Sequence, residues 1–576
     1  MAATSVNELI EQVLPAIKLE NIVAHAAFLS KLQRTSGTPD GEKAAQYILE
    51  RLAEYQLGHE GLEFTGYLSA PLGARLEMVS PVHREYDVVA AGFSENAENL
   101  EGELFYDYMS EKETLTQKEN KERFAQFKDK IVLTRHFLSK IVLPAEAAGA
   151  RGMIQMYPSG EKVPHYLGTS SVWGTPTTDN QHLIHHLPCV NATKDAGEEL
   201  IAQLKKGPVR VSMSARGRNG LTHATIPAAR IPGEEENFVL ISGHYDSHHE
   251  GMTDNGAGDA IMLELARVFH EMRGRLKRSI VICWWAGHEY GNYGGSVWFS
   301  DTYWEQLRDK CVAHINIDVA GCRDALQIRP RTTRMEGKRF TDELIREFTG
   351  LEPKPYVPLP HVGEQSFLGR EIPITIMLKY EILSEKRYFF GAGGGYWWHT
   401  RDDTLDKVDF DIAMRDAKIN AKMICQILNA DHIPVDLVEF VEETRHLLGE
   451  IEEQLAKDFD LSPIHPRLNK LKAAVAGLTQ QLPKHSHTDA VIKKVAGELI
   501  RVQFTYSSPY EYDRLGMPSN FQKFRAAMGV TPENTDADQY LFIKTDFIRQ
   551  RNRLAGEIDK IIETIEYQLL KWSCGQ

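Results

Sequence analysis

Surplus positive charge is missing from this chain: 66 lysines and arginines stand against 80 aspartates and glutamates, for a net charge of -14. Without a basic excess to neutralise phosphates, a polyanion is disfavoured as the main partner, and nucleic acid drops out of the expected ligands. Long apolar runs are missing as well. None approaches the roughly 18 residues of a membrane span, and the opening MAATSVNELIEQVLPAIKLE has no basic flank followed by an apolar core. A cytoplasmic protein with no membrane partner is expected. Cysteine is sparse: Cys189, Cys283, Cys311, Cys322, Cys425 and Cys574 are scattered without CxxC or paired spacing. That excludes a thiolate zinc cluster, fits a reducing compartment and leaves buried free thiols as the plain reading. Internal repeats and low-complexity tracts are absent too.

What is present is a long, ordinary globular composition. A chain of 576 residues exceeds the roughly 250–300 residues at which single cores stop growing, so two or three domains are expected. Residues 1–60 read as helices, with Ile10, Val13, Leu14 and Ile17 at helical spacing and a turn at Gly37-Thr38-Pro39 before a second amphipathic stretch. From 61 to 215 short β-rich pieces such as YDVVAAGF, GELFYDY and DKIVLTRHF alternate with polar turns, which predicts an inserted, mainly β subdomain. Between 216 and 430 the order changes. NFVLISG, then the amphipathic AIMLELARVFHEM, then SIVICWWA give a strand, a helix and a strand, followed by VAHINID and PITIML. This predicts an α/β domain with a mixed, mainly parallel sheet between helices. Residues 436–576 carry apolar positions at i, i+3, i+4 and i+7 and predict a helical C-terminal domain, used either for homodimerisation or for packing on the sheet domain.

In an α/β sheet, ligands converge on the loops at the carboxyl edge of the strands. NFVLISG runs into His244-Tyr245-Asp246, SIVICWWA into His288-Glu289, and VAHINID ends on Asp318, while Asp254 and His399 fall on loops. Two imidazoles and three carboxylates form the mixed N/O donor set that suits zinc and, less tightly, manganese, cobalt or iron. Taken singly, a strand-end histidine is more often hydrogen-bonded than metal-ligating, and Asp254 before Asn255-Gly256 reads equally as a turn or cap. The joint placement carries the expectation.

GHYDS at 243–247, TDNGAGDAIMLELARVF at 253–269, HEYGNYGGS at 288–296, INIDVAG at 315–321 and WHTRDDTLDKVD at 398–409 together resemble peptidase family M28. That family includes bacterial zinc aminopeptidases and the glutamate carboxypeptidase and transferrin-receptor relatives. The resemblance implies a zinc-aminopeptidase-like fold, and KDKIVLTRHFLSKIVLPAEAAGARGMIQMY looks like the protease-associated insert of many members. It further implies one or two metal ions, with Asp254 bridging, His244 and Asp318 completing one position and Glu289 and His399 the other. Asp246 is implied to fix the centre by a hydrogen bond, and a hydroxide shared by the metals is implied as the nucleophile attacking a peptide or amide carbonyl. Asp254-Asn255 falls where members commonly carry a cis peptide.

One residue departs from the pattern. Where the family keeps a Glu-Glu pair, this chain has His288-Glu289, so the ligand position is kept and the general-base position is changed. Removing one carboxylate leaves surplus positive charge beside two dications, which favours an anionic substrate. Three readings stay open: His288 is a substitute base or ligand in an active hydrolase of small or short-peptide substrates; the centre serves another reaction, such as a lyase using His288 as base on a metal-bound carboxylate; or the domain is a silent binding homologue. Tyr396, Trp397 and Trp398, after a glycine loop, either wall a pocket or pack under the loop, and His248, His249 and Glu250 follow the first motif closely enough to reach the cleft but read first as solvated loop residues. Gly363-Glu364-Gln365-Ser366-Phe367 also departs from the family's pocket loop, and Arg401 and Lys379 are cations near the motifs.

Overall fold

The computed structural model describes residues 3–574 except 113–114, 159, 161, 360–362, 383–394, 486–487 and 516–519. Its backbone is a single continuous sheet flanked by helices. Four strands at its centre are parallel, in the order Arg278–Trp285, Glu235–His244, Cys311–Asn316 and Ile374–Glu381. Each is apolar on both faces, as a strand covered by helices on both sides must be. Gln327–Thr332 closes one side antiparallel to Ile374–Glu381. The mixed, mainly parallel α/β sheet expected from the sequence is borne out, as is a helical C-terminal part.

The helix Ala257–Glu271 packs against this sheet and is covered in turn by Leu19–Leu29 and Pro39–Glu54, so that Ile261, Leu263, Leu265 and Phe269 are wholly buried. Side chains of this kind contribute about 1.5–3 kcal/mol each when fully buried. Pro39 opens its helix in the first turn, where its missing N–H costs nothing, and the Gly41 amide donates to the Thr38 hydroxyl at 3.2 Å.

Two very long strands, Gly58–Ser80 and Arg210–Ile231, pair antiparallel and leave the central sheet together. One end of Arg210–Ile231 pairs with Arg278–Trp285 and the other with Ala97–Tyr106. Beyond Ala97–Tyr106 the sheet turns parallel again through Lys130–Thr134, Gly152–Met156 and Cys189–Ala192. The inserted segment is therefore less purely β than its sequence pattern suggests. Gln117–Ala125, Leu138–Ala147 and Lys194–Leu204 are helices, and two apolar cores form there, one containing Leu104, Ile154, Val211 and Leu200 and the other Phe127, Val132, Ile141 and Met153. Leu138, Ile141, Val142 and Ala145 recur at helical spacing within a run that otherwise reads as strand.

Helices Leu437–Glu452, His465–Gln481, Asp489–Phe504 and Ala537–Ser573 share one apolar core with the central sheet. Lys493 reaches from this part and donates to the carbonyls of Leu307, Cys311 and Glu371 at 3.1, 2.7 and 3.1 Å. The Arg278 guanidinium meets Asp489 at 2.6 Å. All six cysteines are unpaired, and only Cys574 is exposed. Among the described residues no helix is long and apolar enough to cross a membrane.

Candidate metal centre

The carboxyl ends of three parallel strands deliver four of the expected groups to one place. Glu235–His244 ends on His244, Arg278–Trp285 leads into His288 and Glu289, and Cys311–Asn316 leads into Asp318. Asp254 arrives on the turn before helix Ala257–Glu271, and the Asp254–Asn255 peptide is cis. His399 comes from the loop after the last central strand. All five expected ligands lie together, and their contacts are specific. His244 Nε2 stands 2.9 Å from Asp254 Oδ1 and 3.4 Å from Asp318 Oδ1. His399 Nε2 stands 3.2 Å from Asp254 Oδ2 and 3.3 Å from Glu289 Oε2. The two oxygens of Asp254 thus face different imidazoles.

Each imidazole is held by its other nitrogen. His244 Nδ1–H donates to the Asp246 carbonyl at 2.8 Å, and His399 Nδ1–H donates to the Tyr166 carbonyl at 2.8 Å. This fixes the tautomer and turns the Nε2 lone pair toward the carboxylates, the arrangement metal-binding histidines use. The donor atoms fit a divalent ion. Ligands around a tetrahedral centre at about 2.0–2.1 Å stand about 3.3 Å from one another, which is the spacing of most of these contacts. Glu289 Oε1 and Asp318 Oδ1 are buried with no hydrogen-bond partner, as acceptors awaiting a cation are.

The electrostatics are those of a cage held by protons when no metal is bound. Burial opposes charge on His244, but Asp318, Asp246 and Asp254 outweigh it and raise its pKa well above the ordinary value. Burial likewise opposes charge on His399, yet Glu289 and Asp254 raise it to about 10. Asp254 is pushed up by burial and by Glu289, but His244 and His399 hold it below the usual carboxylate range. Asp318 is raised, by burial first and despite His244.

His288 stacks on His244 with ring centres 3.9 Å apart and planes within 7°, and the Tyr293 ring meets it edge-on at 4.7 Å. Burial and neighbouring His244 push its pKa down to about 3, so its imidazole is neutral. Donor atoms of His244, His288 and Asp318 lie within 4.8 Å of one another. The Asp246 carboxylate accepts the backbone N–H groups of His288 at 3.3 Å and Glu289 at 3.2 Å, and so sets where both side chains start. The extra glycine that follows is accommodated by close approach: a Cβ on Gly295 would sit 2.2 Å from the Ala286 carbonyl oxygen.

Several participants were not singled out by sequence reasoning. Arg34 is fully buried, and its guanidinium donates to the carbonyls of Leu29, Tyr245, Glu250 and Gly251, pinning the loop after His244. Ser36 Oγ accepts the Gly287 amide at 2.7 Å and anchors the neighbouring loop. Asp403 accepts the amides of Thr253 and Asp254 at 2.9 and 3.1 Å, so the bridging residue is held from behind. Tyr166, from the inserted segment, carries the carbonyl that orients His399.

His248 corrects an expectation. It is not a solvated loop residue but is 4% exposed, packed flat against Tyr166 at 5.3 Å and edge-on to Tyr290 at 4.4 Å. Of the aromatics before His399, Trp397 is buried with its indole N–H on the Thr253 hydroxyl at 3.1 Å, whereas Trp398 stacks on His399 at 3.5 Å. Arg401 pairs with Asp87 at 2.7 Å, and Lys379 lies 3.6 Å from Glu381. Gly391–Gly394 and the side chains of Glu364 and Gln365 lie outside the described residues.

Residues 228–424 match the family model for peptidase family M28, and the resemblance read from the motifs is borne out. Aminopeptidase NAALADL1 of Rattus norvegicus is 24% identical over 346 residues, 52% of this chain and 45% of that protein. A probable glutamate carboxypeptidase VP8 of Zea mays is 35% identical over 95 residues, 16% of this chain and 13% of that protein. In these matches the chain spans less than half the length of its curated relatives. Among solved structures, an aminopeptidase from Aneurinibacillus sp. strain AM-1 superposes with a TM-score of 0.57 at 20% identity, covering 74% of this chain and 98% of that one. The zinc aminopeptidase BSAP from Bacillus subtilis does so with a TM-score of 0.54 at 18% identity, over 72% and 96%. These structures share the fold.

Proposed function

Given the family M28 match over residues 228–424, we propose that this protein is a metal-dependent hydrolase of the aminopeptidase or carboxypeptidase type, acting on peptide or amide bonds of small or short-peptide substrates. The observation that carries the reading is the Asp254 carboxylate, with Oδ1 2.9 Å from His244 Nε2 and Oδ2 3.2 Å from His399 Nε2. A carboxylate so placed is shared between two positions, one completed by His244 and Asp318 and the other by Glu289 and His399. Zinc is the metal the donor set favours, with manganese, cobalt and iron as the alternatives. A divalent ion there supplies Lewis acidity toward a carbonyl oxygen and lowers the pKa of water.

The chain's own residues do the rest. Asp246 holds the backbone of His288 and Glu289, and Asp403 holds that of Asp254, so the carboxylates are fixed before substrate arrives. His288 occupies the general-base position as a neutral imidazole, able to accept a proton at its free nitrogen but, with its pKa pushed down, holding that proton only briefly. Charge balance at the centre favours substrates that bring a negative group. We further read the inserted segment as protease-associated in type, the protein as cytoplasmic, and the C-terminal helices as the contact of a homodimer.

The test is turnover of a panel of aminoacyl anilides, dipeptides and amides by chelated and zinc-reloaded protein. Metal-dependent hydrolysis is expected, preserved or raised in His288→Glu, which restores a carboxylate base. Fully metallated protein that ignores the whole panel, with His288→Glu equally inert, would overturn the reading in favour of an elimination reaction or a binding role.

A further inference from the structure

Near the centre is a sixth group that the five-ligand set leaves out. His248 Nε2 lies 3.2 Å from Glu289 Oε2, the same oxygen that His399 Nε2 approaches at 3.3 Å. Donor atoms of His248, Glu289 and His399 all lie within 4.8 Å of one another, and the two imidazole centres are 4.3 Å apart at 62°. We propose that His248 is itself a metal ligand, closing the Glu289 and His399 position into a four-ligand site with Asp254, while the His244 and Asp318 position remains open. This rests on the metallohydrolase reading above.

Three observations support it. The spacing suits neighbouring ligands: 3.2 Å is at the long end of the N–H to oxygen hydrogen-bond range and close to the about 3.3 Å between neighbouring ligands of a tetrahedral zinc. Three of the edges around this position are 3.2 Å from His248 to Glu289, 3.3 Å from His399 to Glu289 and 3.2 Å from His399 to Asp254. Next, the ring is preset. Tyr166 lies flat on it at 5.3 Å, within 6° of parallel, and Tyr290 meets it edge-on at 4.4 Å, so little rotamer freedom remains to be lost on binding. Finally, the buried ring makes its one polar contact with an expected ligand, Glu289, since His248 Nδ1 has no hydrogen-bond partner. The Glu289 Oε1 atom beside it is equally unpartnered.

The consequence is asymmetry. Four protein ligands saturate a tetrahedral ion, as in structural sites, whereas catalytic sites keep an open position. The closed ion is then retained tightly, and substrate groups enter on the His244 and Asp318 side, beside His288. Two unequal zinc affinities follow, the tighter one depending on His248.

Zinc competition against the chromophoric chelator 4-(2-pyridylazo)resorcinol tests this on the full-length protein, His248→Ala and His249→Ala. Losing a metal-orienting partner alone costs about 10–100-fold in affinity, so loss of a ligand is expected to weaken the tighter zinc by about 100-fold or more, while His249→Ala binds as the unmodified chain does. Unchanged affinities in a folded His248→Ala would overturn the inference and leave the hydrolase reading standing, whereas unmodified protein that takes up no zinc would overturn both. Should His248→Ala fail to fold, zinc anomalous diffraction from the unmodified protein decides: a His248 Nε2 to zinc distance of about 2.0–2.1 Å is expected, and one beyond about 3 Å contradicts it.

Discussion

Tyr166 and His399 hold each other across the molecule: the Tyr166 amide donates to the His399 carbonyl at 2.9 Å, and His399 Nδ1 donates to the Tyr166 carbonyl at 2.8 Å. The first residue belongs to the inserted segment and the second to the last motif of the central domain. The segment carrying Tyr166 thus reaches the ligand cluster, holding one expected ligand through its carbonyl and supplying the ring that packs on His248.

Asp246 touches neither position directly except through neighbours, yet its carboxylate binds the amides of both His288 and Glu289. Asp246→Ala is expected to lower zinc affinity by about 10–100-fold, the usual cost of losing a group that orients a ligand. Chelator competition reads it directly, and affinity within a factor of about three of the unmodified protein would show that the backbone holds its place unaided.

Arg34 contributes stability rather than chemistry. Arg34→Met takes a donor from the carbonyls of Tyr245 and Glu250, while those of Leu29 and Gly251 keep the Leu32 and Gly256 amides at 3.1 and 3.0 Å. At about 1–3 kcal/mol for each buried group left unsatisfied, with partial relaxation, a loss of about 3 kcal/mol or more is expected. Urea unfolding checks it, and a change below about 1 kcal/mol would mean the loop finds other donors.

His25 gives the fold an acid sensitivity. It is buried between the Tyr47 and Tyr55 hydroxyls at 2.8 and 2.9 Å, and burial, aided by Arg51, lowers its pKa to about 4. Above pH 6.5 both folded and unfolded chains carry it neutral. As pH falls through 6.5 only the unfolded chain takes up the proton, so stability declines until about pH 4, by about 3 kcal/mol from this group. The stability of the unmodified chain relative to His25→Gln is expected to shrink over that window. A difference independent of pH would contradict the assignment.

The final helix leaves apolar side chains uncovered: Leu541, Phe542, Tyr567 and Leu570 are 58, 62, 62 and 61% exposed. Sedimentation of the intact chain at micromolar concentration is expected to show a dimer, weakened by Phe542→Glu. A monomer would show that these helices serve the chain's own core alone.

Much of the α/β domain was legible because its signals are local. NFVLISG and SIVICWWA are short apolar runs bounded by turns, and the ligand-type residues stand immediately after them, at the edge where such a sheet collects its site. What was not legible depends on contacts between distant segments. Tyr166 and His399 are 233 positions apart, and nothing near Tyr166 marks its carbonyl as an imidazole acceptor. Arg34 reads as one more charge in a helical region until four carbonyls close on it. His248 follows a strand end beside other polar residues, so its burial depends on Tyr166 and Tyr290, which no local pattern places there. The helix Leu138–Ala147 was hidden because its apolar run, broken by Pro144, matches strand and helix alike.

The central claim is that one carboxylate, Asp254, serves two metal positions. Elemental analysis of protein purified without chelator and saturated with zinc tests it most directly, comparing the unmodified chain with Asp254→Ala. About two zinc ions per chain are expected for the first and at most one for the second, since loss of the shared ligand strips both positions of a donor. No zinc in the unmodified chain, or the same two ions in Asp254→Ala, would contradict the account.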